Sequence, residues 1–261
     1  LERTGSGDYG RSDILLEELR LSRAEYELLT NRAIPLGRLC GFADAVSEAE
    51  VLNELANAKS FSRRTGISYD DVIALLNTRF INPDAPLLPK LERLGVGFSA
   101  LKAFKQGTMT EEEFAARLAP HLDESRYGGS VKDWVRNDEN YKRIMSLLTL
   151  AHPNGSEEVC GFGELEFRHA DPDPSANRAG RFVFIKMLRF LRLQRKLGWT
   201  IEQTDRAIAA LYPPSLKPVV PDDGKNEERL DEAFRVLLIR LGVVKRVMDA
   251  LGVKPAEDLQ P

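Results

Sequence analysis

The chain has 261 residues, of which 43% are apolar and 30% charged, and a formal net charge of −3. This is the composition of a globular chain with a sizeable core, one large domain or two small ones, and it excludes a disordered or fibrous chain. It also speaks against a mainly electrostatic nucleic-acid binder, which carries a basic excess, and no run approaches the roughly 18 apolar residues of a membrane-spanning helix.

Helix signals run along the chain in order. A Ser or Thr followed three residues later by Glu, Gln or Asp can satisfy helix N-terminal amides from both sides. The pattern occurs at Ser22/Glu25, Ser47/Glu50, Ser68/Asp71, Thr110/Glu113 and Thr200/Gln203, each ahead of apolar residues at helical spacing. After Ser68 come Val72, Leu75, Leu76 and Phe80 on one face, with Asn82-Pro83 as the stop and Phe80 and Ile81 expected to plug into a neighbour. The spacing predicts helices near 13–20, 22–30, 47–64, 68–79, 98–105, 110–121, 131–150, 178–198, 200–211, 227–241 and 243–251. Segment 158–168, "VCGFGELEFRH", reads instead as a short hairpin or extended piece. Segments 169–180 and 212–226 read as loops from their Pro, Gly and Asp content. The fold class is therefore mainly α, an irregular multi-helix bundle with one small extended or hairpin element near 158–168. The whole of 1–261 reads as one helical domain with a sub-boundary at 152–180. No repeat of fixed period is present.

The chain starts at Leu1 and shows no charged stretch followed by an apolar one, so no signal peptide is visible, and it reads as a piece of a longer or processed protein. Cys40 and Cys160 are its only cysteines. Two thiols make neither a disulfide framework nor a zinc site, although one bridge stays open.

Three stretches invite a functional reading. "FSRRTGISYDDVIALL" (61–76) has the rhythm of a helix-turn-helix, with Gly66 in the turn. A reading helix needs Arg, Lys, Asn or Gln at its start, and this one opens with Asp70 and Asp71, which suit the positive end of a helix dipole and repel phosphate. A packed helical hairpin is the better reading. The helix 178–199 carries only basic charges: Arg178, Arg181, Lys186, Arg189, Arg192, Arg195 and Lys196. Val183, Met187, Phe190, Leu191 and Leu197 gather on the opposing arc. Lys186, Arg189, Arg192, Arg195 and Lys196 form the candidate interaction face, for an anionic membrane, nucleic acid or a protein groove. The plainer reading is a core helix whose outer face pairs with acids of its neighbours. "DPDPSANRAGRF" opens like a calcium loop with Asp171, Asp173 and Ser175, but Ala176 replaces the turn glycine and Phe182 the bidentate glutamate, so no metal is expected. His121, His152 and His169 are widely separated and have no helix-spaced partner ligand. Neither a nucleophile elbow nor a phosphate loop nor a His-Glu-x-x-His run occurs, so no catalytic residue and no cofactor is expected.

Three stretches taken together resemble one family. "GDYGRSDILLEELRLSRAEYELLT" (7–30), "FSRRTGISYDDVIALLNTRFINP" (61–83) and "FIKMLRFLRLQRKLGWTIEQTDRAI" (184–208) resemble, in this order, the A subunits of bacterial Tc toxin complexes, the insecticidal toxin complexes, including their Salmonella-virulence-plasmid-type segment. "CGFGELEFRHADPD" and "LDEAFRVLLIRLGVVKRVMDALGV" fit the same layout, and 84–157 is the least informative part. The resemblance implies a segment of the helical shell that surrounds the translocation channel of a very large pentameric subunit. Its implied partners are other domains or protomers of that parent, the toxin subunits it carries and, through the parent, a host cell surface. The implied location is secreted or at the bacterial surface. The resemblance implies no catalytic residue, cofactor, metal or nucleic acid. The chain is far shorter than a whole A subunit and holds no recognisable receptor-binding module. The rival expectations are a nucleic-acid-binding regulator using 61–79 and the basic helix 178–196, an enzyme with a site in 154–180, and a membrane contact through 178–196.

Overall fold

A computed structural model describes residues 16–85, 97–118, 136–154, 161–173, 177–219 and 224–253. The helices are α1 (Arg23–Thr30), α2 (Leu36–Leu39), α3 (Glu48–Ala56), α4 (Ala58–Thr65), α5 (Tyr69–Leu76), α6 (Phe98–Lys105), α7 (Glu111–Leu118), α8 (Asp138–Met145), α9 (Arg181–Leu197), α10 (Ile201–Leu211) and α11 (Asn226–Leu251). Strands β1 (Leu148–Ala151) and β2 (Glu166–His169) make one antiparallel pair, with Leu148 opposite His169 and Ala151 opposite Glu166. Among the described residues the fold is thus mainly helical with one small hairpin sheet, as the sequence patterning indicates.

The helix starts follow the local chemistry. At Ser22, Ser47, Ser68 and Thr200 the side chain accepts the third-residue amide while that residue's side chain reaches back to the cap amide. The Thr110/Glu113 pair makes the same two bonds, at 3.1 and 2.9 Å. Gly66 closes α4 in the left-handed region (φ 66°), which a side chain rarely adopts.

Four boundaries differ from the sequence expectation. The expected helix 47–64 breaks at Asn57, which leaves the helical region, caps α4 by accepting the Ser60 amide, and donates to the Gly163 carbonyl at 2.7 Å. The expected helix 131–150 is helical only over α8 within its described part and then becomes β1. Asn137 caps its start, and Leu148-Thr149-Leu150 suits a pleated, half-buried surface. The hairpin therefore pairs 148–151 with 166–169 instead of lying within 158–168, of which 158–160 fall outside the described residues. The expected helices 227–241 and 243–251 are one helix, α11, running through a buried Gly242. The short α2 was not anticipated.

By contacts the chain divides into two compact units, one of residues up to Leu39 and from Ile185 onward, the other of Cys40–Phe184. The expected sub-boundary at 152–180 lies inside the second. In that second unit Phe61, Phe167 and Phe184 are fully buried, with Phe61 and Phe167 edge-to-face at 5.0 Å and Phe167 and Phe184 at 6.0 Å. The hairpin's outer edges are closed by polar groups. The Asn82 side chain donates to the Leu148 carbonyl (3.0 Å) and accepts its amide (3.2 Å). On the β2 side, residues 177–179 run alongside, with His169 N–H to the Asn177 carbonyl and Ala179 N–H to the Phe167 carbonyl. The stop of α5 also needs correcting. The helix ends at Leu76, Thr78 caps the following turn, and it is Ile81 and Asn82 that are buried, while Phe80 is half-exposed.

Candidate interaction face

Helix α9 carries the five basic residues of the candidate face, and the structure separates them. Lys186 is 7% and Arg189 1% exposed, Arg192 and Lys196 are half-buried, and Arg195 is exposed. Lys186 and Arg189 therefore do not present an outward face. The reason is legible on the helix wheel. Ile185, Leu188 and Leu193 lie among the basic positions, so the middle of α9 is apolar nearly all round, the mark of a buried helix.

Arg189, Arg192 and Lys196 are each engaged within the unit. Arg189 donates to Asp231 of α11 at 2.6 Å, and Asp231 is itself 2% exposed. The second Asp231 oxygen accepts the Arg32 backbone amide at 2.9 Å and its guanidinium at 3.4 Å. One carboxylate thus ties α9, α11 and the turn after α1. The Arg189 guanidinium also lies 5.7 Å from the Phe234 ring centre. Arg192 donates to the Leu39 carbonyl at the end of α2. Lys196 pairs with Glu25 at 2.5 Å. That contact, with the Ser22 amide bond next, holds the Glu25 carboxyl down at about 2. Burial pulls the Lys186 ammonium down to about 8 and pushes the Tyr212 phenol up to about 12, the nearby Arg189 charge opposing the latter shift. In the other unit, Arg181 at the start of α9 pairs with Glu48 at 2.8 Å, and Arg178 donates to the Asn53 side chain at 2.6 Å.

Asp231 was not singled out by sequence reasoning, although a signal was there. It falls on the same side of α11 as Phe234 and Leu238, an acid in an apolar register, as Arg189 is a base in one. Two such misfits of opposite sign on two helices point to one buried pair.

The stretch 61–76 forms the expected pair of helices. Helix α4 ends at Gly66 and α5 starts after Ser68, but Asp71 is spent in the cap and Asp70 is exposed at the start of the second helix. Arg64 bonds Glu54 at 2.7 Å and stacks on the Phe42 ring at 4.0 Å. Asp171, the first residue of the calcium-like run, accepts from Lys102 at 2.8 Å. Among the described residues no group of three or more His, Cys, Asp or Glu side chains is arranged to hold a metal ion, and no helix is long and apolar enough to cross a membrane. Cys160 and His121 lie outside the described residues, and Cys40 is half-buried. No protein-family model, no curated protein and no solved structure matches the chain.

Proposed function

We propose that this chain is a structural, protein-interaction segment of a Tc-toxin-A-like protein, part of a helical shell around a translocation channel, with no chemistry of its own. The observation that carries the proposal is the inward commitment of α9. The helix with most cationic character spends Arg189 on a buried carboxylate, Lys196 on Glu25 and Arg192 on a helix-end carbonyl. A helix used this way is a strut. The mainly helical architecture and the family-like order of the three quoted stretches support the same reading. On this reading the partners are neighbouring domains or protomers of a pentameric parent and the toxin subunits it carries, and the site of action is secreted or at the bacterial surface.

The test is the mass of the native, full-length gene product and of its assembly, by light scattering on a sizing column. A polypeptide many times longer than this chain, assembled as a pentamer, supports the proposal. A free-standing protein of about this length, monomeric or dimeric, removes the translocation role.

A further inference from the structure

Helix α11 changes character along its outward side. Over its first half that side is charged, with Glu228, Glu232 and Arg235 exposed. From Ile239 onward it becomes apolar. Ile239, Val243, Val247 and Leu251, one helical turn apart, are 37%, 46%, 52% and 73% exposed. Scattered surface apolar residues need no explanation, but four in one row, on a helix whose opposite side already fills a core, make a contiguous seam.

The flanks of the seam are basic. Arg240 stands on one side, and its guanidinium is satisfied by a neutral carbonyl, Leu211 of α10, at 2.6 Å, so its charge is not balanced there. Arg246 stands on the other side and reaches Glu18 only at 4.0 Å. Lys245 and Asp249 neutralise each other at 2.5 Å. The rim therefore keeps an unbalanced Arg240 and a weakly paired Arg246 beside an apolar row.

We infer that the seam Ile239–Val243–Val247–Leu251 docks an amphipathic helix of a partner protein whose flanks carry carboxylates. The one-turn spacing of β-branched residues fits side-by-side helix packing, and Arg240 and Arg246 select the charge of the occupant. A second copy of this chain fits less well. An antiparallel pairing that sets Val243 against Val247 of the other copy, and Ile239 against Leu251, brings the two Arg246 side chains to the same edge about 3 Å apart along the axis, like charge against like. A parallel pairing puts each Arg240 on the same edge as the Arg246 of the other copy, like charge again. A lipid surface fits less well too, because residues 239–253 contain no aromatic residue to sit at a membrane interface. The inference rests on the scaffold reading for the kind of partner, but the assembly mass tests that reading without reference to this seam.

The experiment uses the full chain and a labelled synthetic peptide of about three heptads, with Leu and Ile on the seam and Glu on both flanks, read by fluorescence anisotropy. The control peptide carries Lys in place of Glu. The expected result is binding of the Glu peptide at least tenfold tighter than the Lys peptide, weakening as salt rises. Val243→Glu with Val247→Glu should lower that affinity tenfold or more. Arg240→Glu with Arg246→Glu, on exposed side chains that leave the core untouched, should invert the preference toward the Lys peptide. No binding, or equal binding of both peptides, overturns the inference. Self-association that Val247→Glu abolishes assigns the seam to a second copy and overturns it. Binding to phosphatidylserine vesicles with none to the peptides assigns it to lipid and overturns it equally.

Discussion

The unit containing α9 beyond Phe184 and α11 places at its centre an ion pair, Arg189 with Asp231, shared with the backbone of Arg32. The Cys40–Phe184 unit places at its centre three phenylalanine rings packed edge to face against a two-stranded hairpin. Both centres are buried, yet they specify their folds differently. Rings accept neighbours of about the right volume, so the hairpin unit is held by shape. A buried carboxylate with two separate donors accepts only one arrangement of the helices that supply them, because any other leaves charge unpaired in a low-dielectric core. The contrast suggests that in this chain buried charge fixes helix register and aromatic surface supplies bulk stability.

That contrast can be broken at several points. Asp231→Ala should cost about 3–5 kcal/mol, because it strands the Arg189 guanidinium. Replacing both members, Arg189→Met with Asp231→Leu, should recover most of that loss, measured as urea midpoints. If the double variant is as unstable as the single one, the pair does more than satisfy itself. Phe167→Ala in the other unit should also cost about 3–5 kcal/mol through lost burial and the cavity it leaves. It has no such rescue by a paired substitution, and thermal unfolding would show the difference.

A third prediction concerns pH. Lys186 is held at about 8 in the folded chain against 10.5 in the unfolded one. Between those values the unfolded chain binds a proton that the folded chain has released, so stability rises with pH, by on the order of 1–3 kcal/mol. Tyr212 acts in the opposite sense. Its folded value of about 12 lies above the ordinary 10.0, so stability falls as pH passes 10. Urea unfolding at pH 7, 8, 9 and 10 should show the rise in the parent chain and its absence in Lys186→Met. A flat profile in both would mean that Lys186 keeps its water. The smallest effect is at the edge of the hairpin. Asn82→Ala leaves the Leu148 amide and carbonyl without their side-chain partner and should cost about 1–3 kcal/mol. Hydrogen exchange should then accelerate at Leu148 more than at Phe61.

The parts of the fold that sequence revealed are those set by neighbours in the chain. All five capping pairs formed where the Ser or Thr and its acid or amide stand three residues apart. The glycine turn after α4 did too. What escaped was set by distant partners. Asn57 breaks a helix because a carbonyl 106 residues on accepts its amide. Residues 148–151 leave the helical pattern because β2 and Asn82 offer ladder partners on both sides. Two members of the candidate face, Lys186 and Arg189, are buried for the same kind of reason. Basic residues on one arc look solvated until Asp231, 42 residues from Arg189, is known to sit on the apolar side of another helix. Of Phe80 and Ile81, both expected to be buried, only Ile81 is, because the chain turns at Thr78 and no helical period continues through a turn.

The central claim is that α9 is an internal strut whose charges are spent inside the unit. The most direct measurement is native-state acetylation of lysines with an N-hydroxysuccinimide ester, read by peptide mass spectrometry. The account predicts that Lys186 stays unmodified while the exposed Lys59 and Lys225 react readily, and that Asp231→Ala, which loosens the helix pair, exposes Lys186 to the reagent. Reaction of Lys186 in the unaltered chain as fast as Lys59 and Lys225 would put α9 on the surface and contradict the account.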